Sequence, residues 1–121
     1  MELELLDGEF SVCKANGPED VNFHAPFLFI GSTDEEFSLV CPREYAPQNA
    51  VAVEHGWRAM RICGELDFSL TGILARLSGL LAQNNIPIFA VSTYNTDYIL
   101  IKKDTLTEAV DCLQRSGYRF I

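Results

Sequence analysis

Basic residues are scarce in this sequence. Nine Lys and Arg stand against seventeen Asp and Glu, giving a net charge of −8 over 121 residues. Without a Lys/Arg cluster to release counterions, neither nucleic acid nor an anionic membrane is an expected partner. Long apolar runs are also missing, and none approaches the ~20 residues that span a bilayer. The opening MELELLDGEF is acidic where a secretory signal would be basic, so a cytoplasmic location is expected. His24 and His55 lack a second ligand at helical or hairpin spacing, which argues against a metal. Cys13, Cys41, Cys63 and Cys112 show no CxxC pairing and sit in apolar surroundings, the pattern of buried free thiols. No GxxxxGK or GxGxxG string is present to cradle a phosphate, and no cofactor is expected. A Cys–His couple is the one nucleophile–base option, and nothing in the sequence brings its members together. The chain does not read as an enzyme.

What is present is an ordinary globular composition, 48% apolar and 21% charged. At this length it makes one compact unit or two small ones. Residues 9–15 alternate as a strand, with Phe10, Val12 and Lys14 on one face. Asn16-Gly17-Pro18 is a turn, and Pro18 can open a short helical turn. FLFIGST (27–33) and EFSLVC (36–41) read as an antiparallel hairpin, followed by a single helical turn between Pro42 and Pro47. AVAVEHG (50–56) is a short strand, His55-Gly56 a boundary between halves, and WRAMRICGEL (57–66) a longer strand.

A helix follows. Ser69 or Thr71 is its expected N-cap, and Leu70, Ile73, Leu74, Leu77 and Leu81 form its core stripe. Asn84-Asn85 stops it, since Asn tolerates the left-handed conformation. IPIFAVST and DYILIK then form a second hairpin. Thr105 and Glu108 have capping-box spacing ahead of a helix faced by Leu106, Ala109, Val110 and Leu113. Gly117 closes that helix, and residues 118–121 are a last strand. The second half is thus β-α-β-β-α-β, an α+β, ferredoxin-like module with a four-stranded antiparallel sheet and both helices on one face.

The hairpins repeat. A shift of 61 positions lays Pro26 on Pro87, Ser32 on Thr93, Asp34 on Asn95 and Leu39 on Leu100. The first half then reads as a worn copy of the second. The strands 86–92 and 98–101 carry apolar groups on both faces, which requires a neighbour, either the other half or a second subunit.

The segment Asp67-Phe68-Ser69-Leu70-Thr71-Gly72-Ile73-Leu74, opening the first helix of such a module, resembles that of an ACT domain. The hairpin IFAVSTYNTDYIL (88–100) is similar to those of CASTOR-type ACT domains, related to animal arginine sensors, and of aspartate kinase regulatory regions. The resemblance covers 57–121 most strongly. It implies an ACT domain at 57–121, preceded by a degenerate ACT-like half at 1–56. It further implies a non-catalytic regulatory protein binding an amino acid or similar metabolite where two ACT domains pair. The implied partners are this small molecule, a second copy in a homodimer and a partner enzyme. The implied site comprises Asp67, Ser69, Leu70, Thr71, Gly72 and Ile73 with Ser92, Thr93, Tyr94, Asn95 and Asp97.

Physical chemistry supports two roles within that set. A helix start presents unpaired N–H groups to an anion, and Gly72 lets a ligand approach the backbone closely. Asp97, beside Tyr94, suits an ammonium or other cation. The plainer readings are that Ser69 and Thr71 cap the helix and that Tyr94 to Asp97 form a hairpin turn. A ligand-free pairing module is the alternative function.

Overall fold

The computed structural model describes residues 1–63 and 72–121, which form two compact units. One unit comprises Met1–Asp7 with Arg58–Ile121, and the other Gly8–Trp57.

In the first unit the strands are Glu2–Leu5 (β1), the end of Ala52–Ile62 (β5), Ile88–Ser92 (β6), Asp97–Lys102 (β7) and Arg119–Phe120 (β8). The helices are Ile73–Gln83 (α1) and Leu106–Arg115 (α2). From β5 onward the order is β-α-β-β-α-β, as the periodicity predicts. The sheet departs from the expected four antiparallel strands. β1 lies between β5 and β8, antiparallel to the former and parallel to the latter, and β7 and β6 follow on the other side of β5. The Glu-Leu alternation of β1 is short and uses a residue that strands disfavour. Its partners, β5 and β8, are both remote in sequence.

The core of this unit gathers Leu3, Met60, Ile62, Ile99 and Ile101 from the strands against Leu77, Leu81, Ala109, Cys112 and Leu113 from the helices. Both helices therefore cover one sheet face. In α2, Cys112 rather than Val110 enters the buried face. The hairpin's other face is also closed at one point, since Leu100 is fully buried. Among the described residues β6 pairs only with β7, and Ala90 on it is exposed.

Both helices stop in the same way. Asn85 has φ of 59°, and the N–H groups of Asn85 and Ile86 donate to the carbonyls of Ala82 and Leu81. Gly117, with φ of 97°, is matched by donation from Gly117 to Gln114 and from Tyr118 to Leu113. These Schellman closures place Ile86 and Tyr118 in the core as their hydrophobic contacts. The starts differ from expectation. α1 begins at Ile73 with left-handed Gly72 at the N-cap, and the candidate caps Ser69 and Thr71 lie outside the described residues. The capping box does not form. A 3-10 turn over Lys103–Thr105 leads into α2, and Thr105 Oγ1 donates back to the Lys102 carbonyl at 3.1 Å.

In the second unit, Phe10–Ala15 (β2), Phe29–Ser32 (β3), Phe37–Pro42 (β4) and the start of β5 pair in the order β3-β4-β2-β5. Its core joins Cys13, Ala15 and Leu39. Of the face expected to carry Phe10, Val12 and Lys14, Phe10 is buried, but beyond it the inward residues of β2 are Cys13 and Ala15. A hydrogen bond from the Cys41 thiol to the Cys13 sulfur holds Cys13 below and, with burial, pushes Cys41 above the ordinary thiol value. All four cysteines are free, but Cys63 is half-exposed rather than buried.

Within the described residues the two strands expected at 50–56 and 57–66 are one eleven-residue strand, β5, and positions 64–66 lie outside those residues. His55 and Gly56 are a bulge within it. Phe10 faces Trp57 and Val12 faces Glu54, so both bulge residues stand opposite Ser11. Gly56 has φ of 87°, the conformation that made the pair look like a break.

The hairpins correspond at sixty positions, not 61. Phe37–Pro42 and Asp97–Lys102 start and end sixty apart, as do the 3-10 turns Arg43–Tyr45 and Lys103–Thr105. Each turn is closed alike, with Thr33 N–H donating to Glu36 at 3.0 Å and Thr93 N–H to Thr96 at 2.8 Å. Register superimposes turn on turn, whereas matching residue types favours the neighbouring alignment.

Candidate functional site

The alternation of side chains across strands builds a polar face in the first unit. Met60 and Ile62 enter the helix-covered core, which leaves Arg61 and Cys63 on the opposite face. Leu3 enters the same core and pairs with Ile62, so its neighbour Glu4 falls directly opposite Arg61 in the β1–β5 ladder. Ile99 and Ile101 do likewise for β7, turning Tyr98 toward Arg61.

The result is a cluster centred on Arg61. Its Nη2 donates to Glu4 Oε1 at 2.7 Å and its Nη1 to the Tyr98 hydroxyl at 3.4 Å. The guanidinium carbon lies 5.8 Å from the centre of the Tyr98 ring, within cation–π range. The Glu4 carboxylate foremost, then Tyr98, raises the Arg61 pKa above its already high value, so Arg61 stays charged at every ordinary pH. With side chains 32% and 41% exposed, the Arg61–Glu4 pair adds about 1 kcal/mol or less to stability. Its main effect is to place a positive and a negative charge side by side.

The β6–β7 turn forms the adjoining wall. Thr96 is buried, and its Oγ1 donates to the Ile62 carbonyl at 2.7 Å, tying the turn to the end of β5. Thr93 and Asn95, with Glu4, Arg61, Cys63 and Tyr98, line an open cleft of about 400 Å³. That volume lies within the range of small-molecule sites.

Two of the sequence-predicted residues, Thr93 and Asn95, thus line this cleft. Ser92 and Asp97 do not line it; Ser92 Oγ donates to Asp97 Oδ1 at 2.5 Å, a cross-strand pair at the hairpin end. Tyr94 stands at the turn tip, 78% exposed. Gly72 is exposed, and a Cβ added there would meet no atom within 4 Å. Ile73 packs against the core. Asp67, Ser69, Leu70 and Thr71 lie outside the described residues.

Sequence reading did not single out Glu4, Arg61 or Tyr98. An arginine inside an apolar strand was the available signal, but Glu4 could be found only with β1 in place. A second polar contact, Ser11 Oγ to His55 Nδ1 at 2.6 Å, has its hydroxyl fully buried and offers no accessible nucleophile. Among the described residues no group of three or more His, Cys, Asp and Glu is placed to hold a metal. No helix among them is long and apolar enough to cross a membrane.

Comparison with known proteins places this geometry in a family. The family model of the ACT domain matches residues 52–115. The rat protein named cytosolic arginine sensor for mTORC1 subunit 1 is 38% identical over 108 residues, which is 84% of this chain and 32% of that protein. The chain therefore spans about a third of that relative's length. A crystal structure of protein Atu0741 from Agrobacterium tumefaciens superimposes with a TM-score of 0.87 at 29% identity, covering 99% of this chain and 91% of that one. The regulatory subunit of aspartate kinase from Thermus thermophilus, in its ligand-free form, shares the fold with a TM-score of 0.66 at 8% identity, covering 95% and 96%. The helix-layered β-α-β-β-α-β unit and the matched stretch, which covers it from β5 through α2, agree: this chain belongs to the ACT domain family.

Proposed function

We propose that the protein is a non-catalytic regulatory sensor that binds an amino acid or similar small metabolite at an interface between ACT units. The observation that carries this reading is the open cleft beside the β6–β7 turn, where charges of both signs converge with hydroxyl and amide groups. Family membership and the likeness to a named arginine sensor support it. The helix-start residues Asp67 to Ile73 and the hairpin residues Ser92 to Asp97 complete the site in this reading. Residues 57–121 act as the ACT domain and 1–56 as its degenerate copy, a division supported by the matching hairpins. The protein works in the cytoplasm as a homodimer that docks on a partner enzyme.

Thermal-shift screening of the proteinogenic amino acids at millimolar concentration tests the reading. A ligand at 100 times its Kd stabilises by about 2.7 kcal/mol, so at least one amino acid should raise Tm by several degrees. A flat response across the set contradicts sensing. A second reading, a ligand-free pairing module, is favoured by β6, which among the described residues is bonded along one edge only. Under that reading light scattering finds a dimer while no amino acid shifts Tm.

A further inference from the structure

We propose that Cys13 and Cys41 form a redox modification site, a dithiol in the core of the second unit that a hydroperoxide closes to a disulfide. The site shares no residue with the cleft of the ACT unit and stands on strand register, burial and sulfur chemistry.

Register brings the two thiols together. Cys13 on β2 faces Leu39 on β4, and Ser11 faces Cys41, so the cysteines are diagonal neighbours on one sheet face. Both are buried, at 2% and 1% exposure. The Cys41 thiol donates to the Cys13 sulfur, and that contact favours the Cys13 thiolate, the form that attacks an oxidant. The other two cysteines bond to nitrogen and oxygen instead. Cys112 accepts from Asn84 Nδ2 at 3.0 Å and donates to the Leu80 carbonyl at 3.6 Å, while Cys63 donates to the Arg61 carbonyl at 3.9 Å.

A buried thiol reacts only where its cover opens. Val21, Leu28, Ala46 and Ala50, all from segments outside the strands and helical turns, pack against this cluster. Irregular cover of that kind opens locally more readily than packed helices, and a hydroperoxide is small enough to enter. The Cys13 thiolate attacks one peroxide oxygen and the O–O bond breaks. Its sulfur becomes a sulfenic acid, and the departing oxygen takes the proton that Cys13 gave up, leaving as an alcohol, or as water from hydrogen peroxide. Cys41 then attacks that sulfur: the S–S bond forms, the S–O bond breaks, and hydroxide leaves with the Cys41 proton as water. Two thiols and one hydroperoxide give one disulfide, one alcohol and one water, with two electrons passing from sulfur to oxygen. A diagonal pair reaches bonding distance only if β2 and β4 shift, so the bond is strained and a dithiol reductant reopens it readily.

Hydrogen peroxide treatment of the reduced, folded full chain tests this, read by thiol counting after denaturation and by mass spectrometry of tryptic peptides prepared without reduction. Trypsin leaves each cysteine on its own peptide, since Lys14, Arg43, Arg61 and Arg76 separate them. The four free thiols should fall to two, with Cys13 and Cys41 in one linked peptide pair, and dithiothreitol should restore all four. Cys41→Ser removes the resolving thiol, so Cys13 should stop at the sulfenic acid and take up dimedone, which the wild type should not retain. Where that variant does not fold, the wild-type peptide map decides by itself. Four thiols surviving peroxide overturn the assignment, as does a bridge that forms only in denaturant. Bonds through Cys63 or Cys112 with Cys13 and Cys41 left free, or Cys13 carried to the sulfinic acid beside a free Cys41, overturn it equally.

Discussion

Leu77→Ala is expected to destabilise the ACT unit by about 3 kcal/mol or more, one of the largest losses any single truncation in this chain should produce. Leu77 lies at the middle of α1 with no exposed surface, in the cluster that joins both helices to β1, β5 and β7. Truncation removes three buried carbons and leaves a cavity whose walls belong to rigid elements, so collapse around it is limited. For a chain of this size the loss corresponds to a Tm lower by about 10 °C, readable by circular dichroism. Leu74, one turn earlier and only partly buried, is the internal control, and Leu74→Ala should cost clearly less. Equal losses at the two positions would mean that the helix stripe does not face the core as described.

Gly56→Val should cost about 2–3 kcal/mol, although it replaces a residue in a strand with one of the best strand formers. Gly56 is buried at φ of 87°, inside the bulge opposite Ser11. A β-branched side chain is strained in that region whatever space surrounds it. Gly79 gives the opposite sign. It lies inside α1, and a Cβ added there meets nothing within 4 Å, so Gly79→Ala should stabilise by about 0.5–1 kcal/mol. Denaturant titration of both variants separates backbone strain from crowding. A neutral Gly56→Val would show that the bulge relaxes to regular pairing.

The behaviour of these residues shows what the sequence could disclose. The α1 stripe and both hairpins were legible because their periodicity is local and strong. So was the left-handed stop at Asn85, a property of that residue type. Features fixed by distant pairing were not. β1 is defined by bonds to β5 and β8, and its own four residues say little. The His55-Gly56 bulge reads locally as a break between two strands, and only the β2 register shows one continuous strand. The capping box fails because Thr105 belongs to the preceding 3-10 turn. The site divides along the same line. Thr93 and Asn95 stand out as a polar turn, while the Arg61–Glu4 pair exists only once β1 lies against β5.

In the proposed function an amino acid occupies the cleft of the ACT unit. Two-dimensional amide NMR of the labelled, assigned protein, titrated with the amino acid giving the greatest thermal shift, tests it most directly. The largest chemical-shift changes are expected to cluster at Glu4, Arg61, Cys63, Thr93, Asn95 and Tyr98, which line the cleft, with little change at the exposed face of α2. Saturable changes confined to other residues, with those six unmoved, would contradict it.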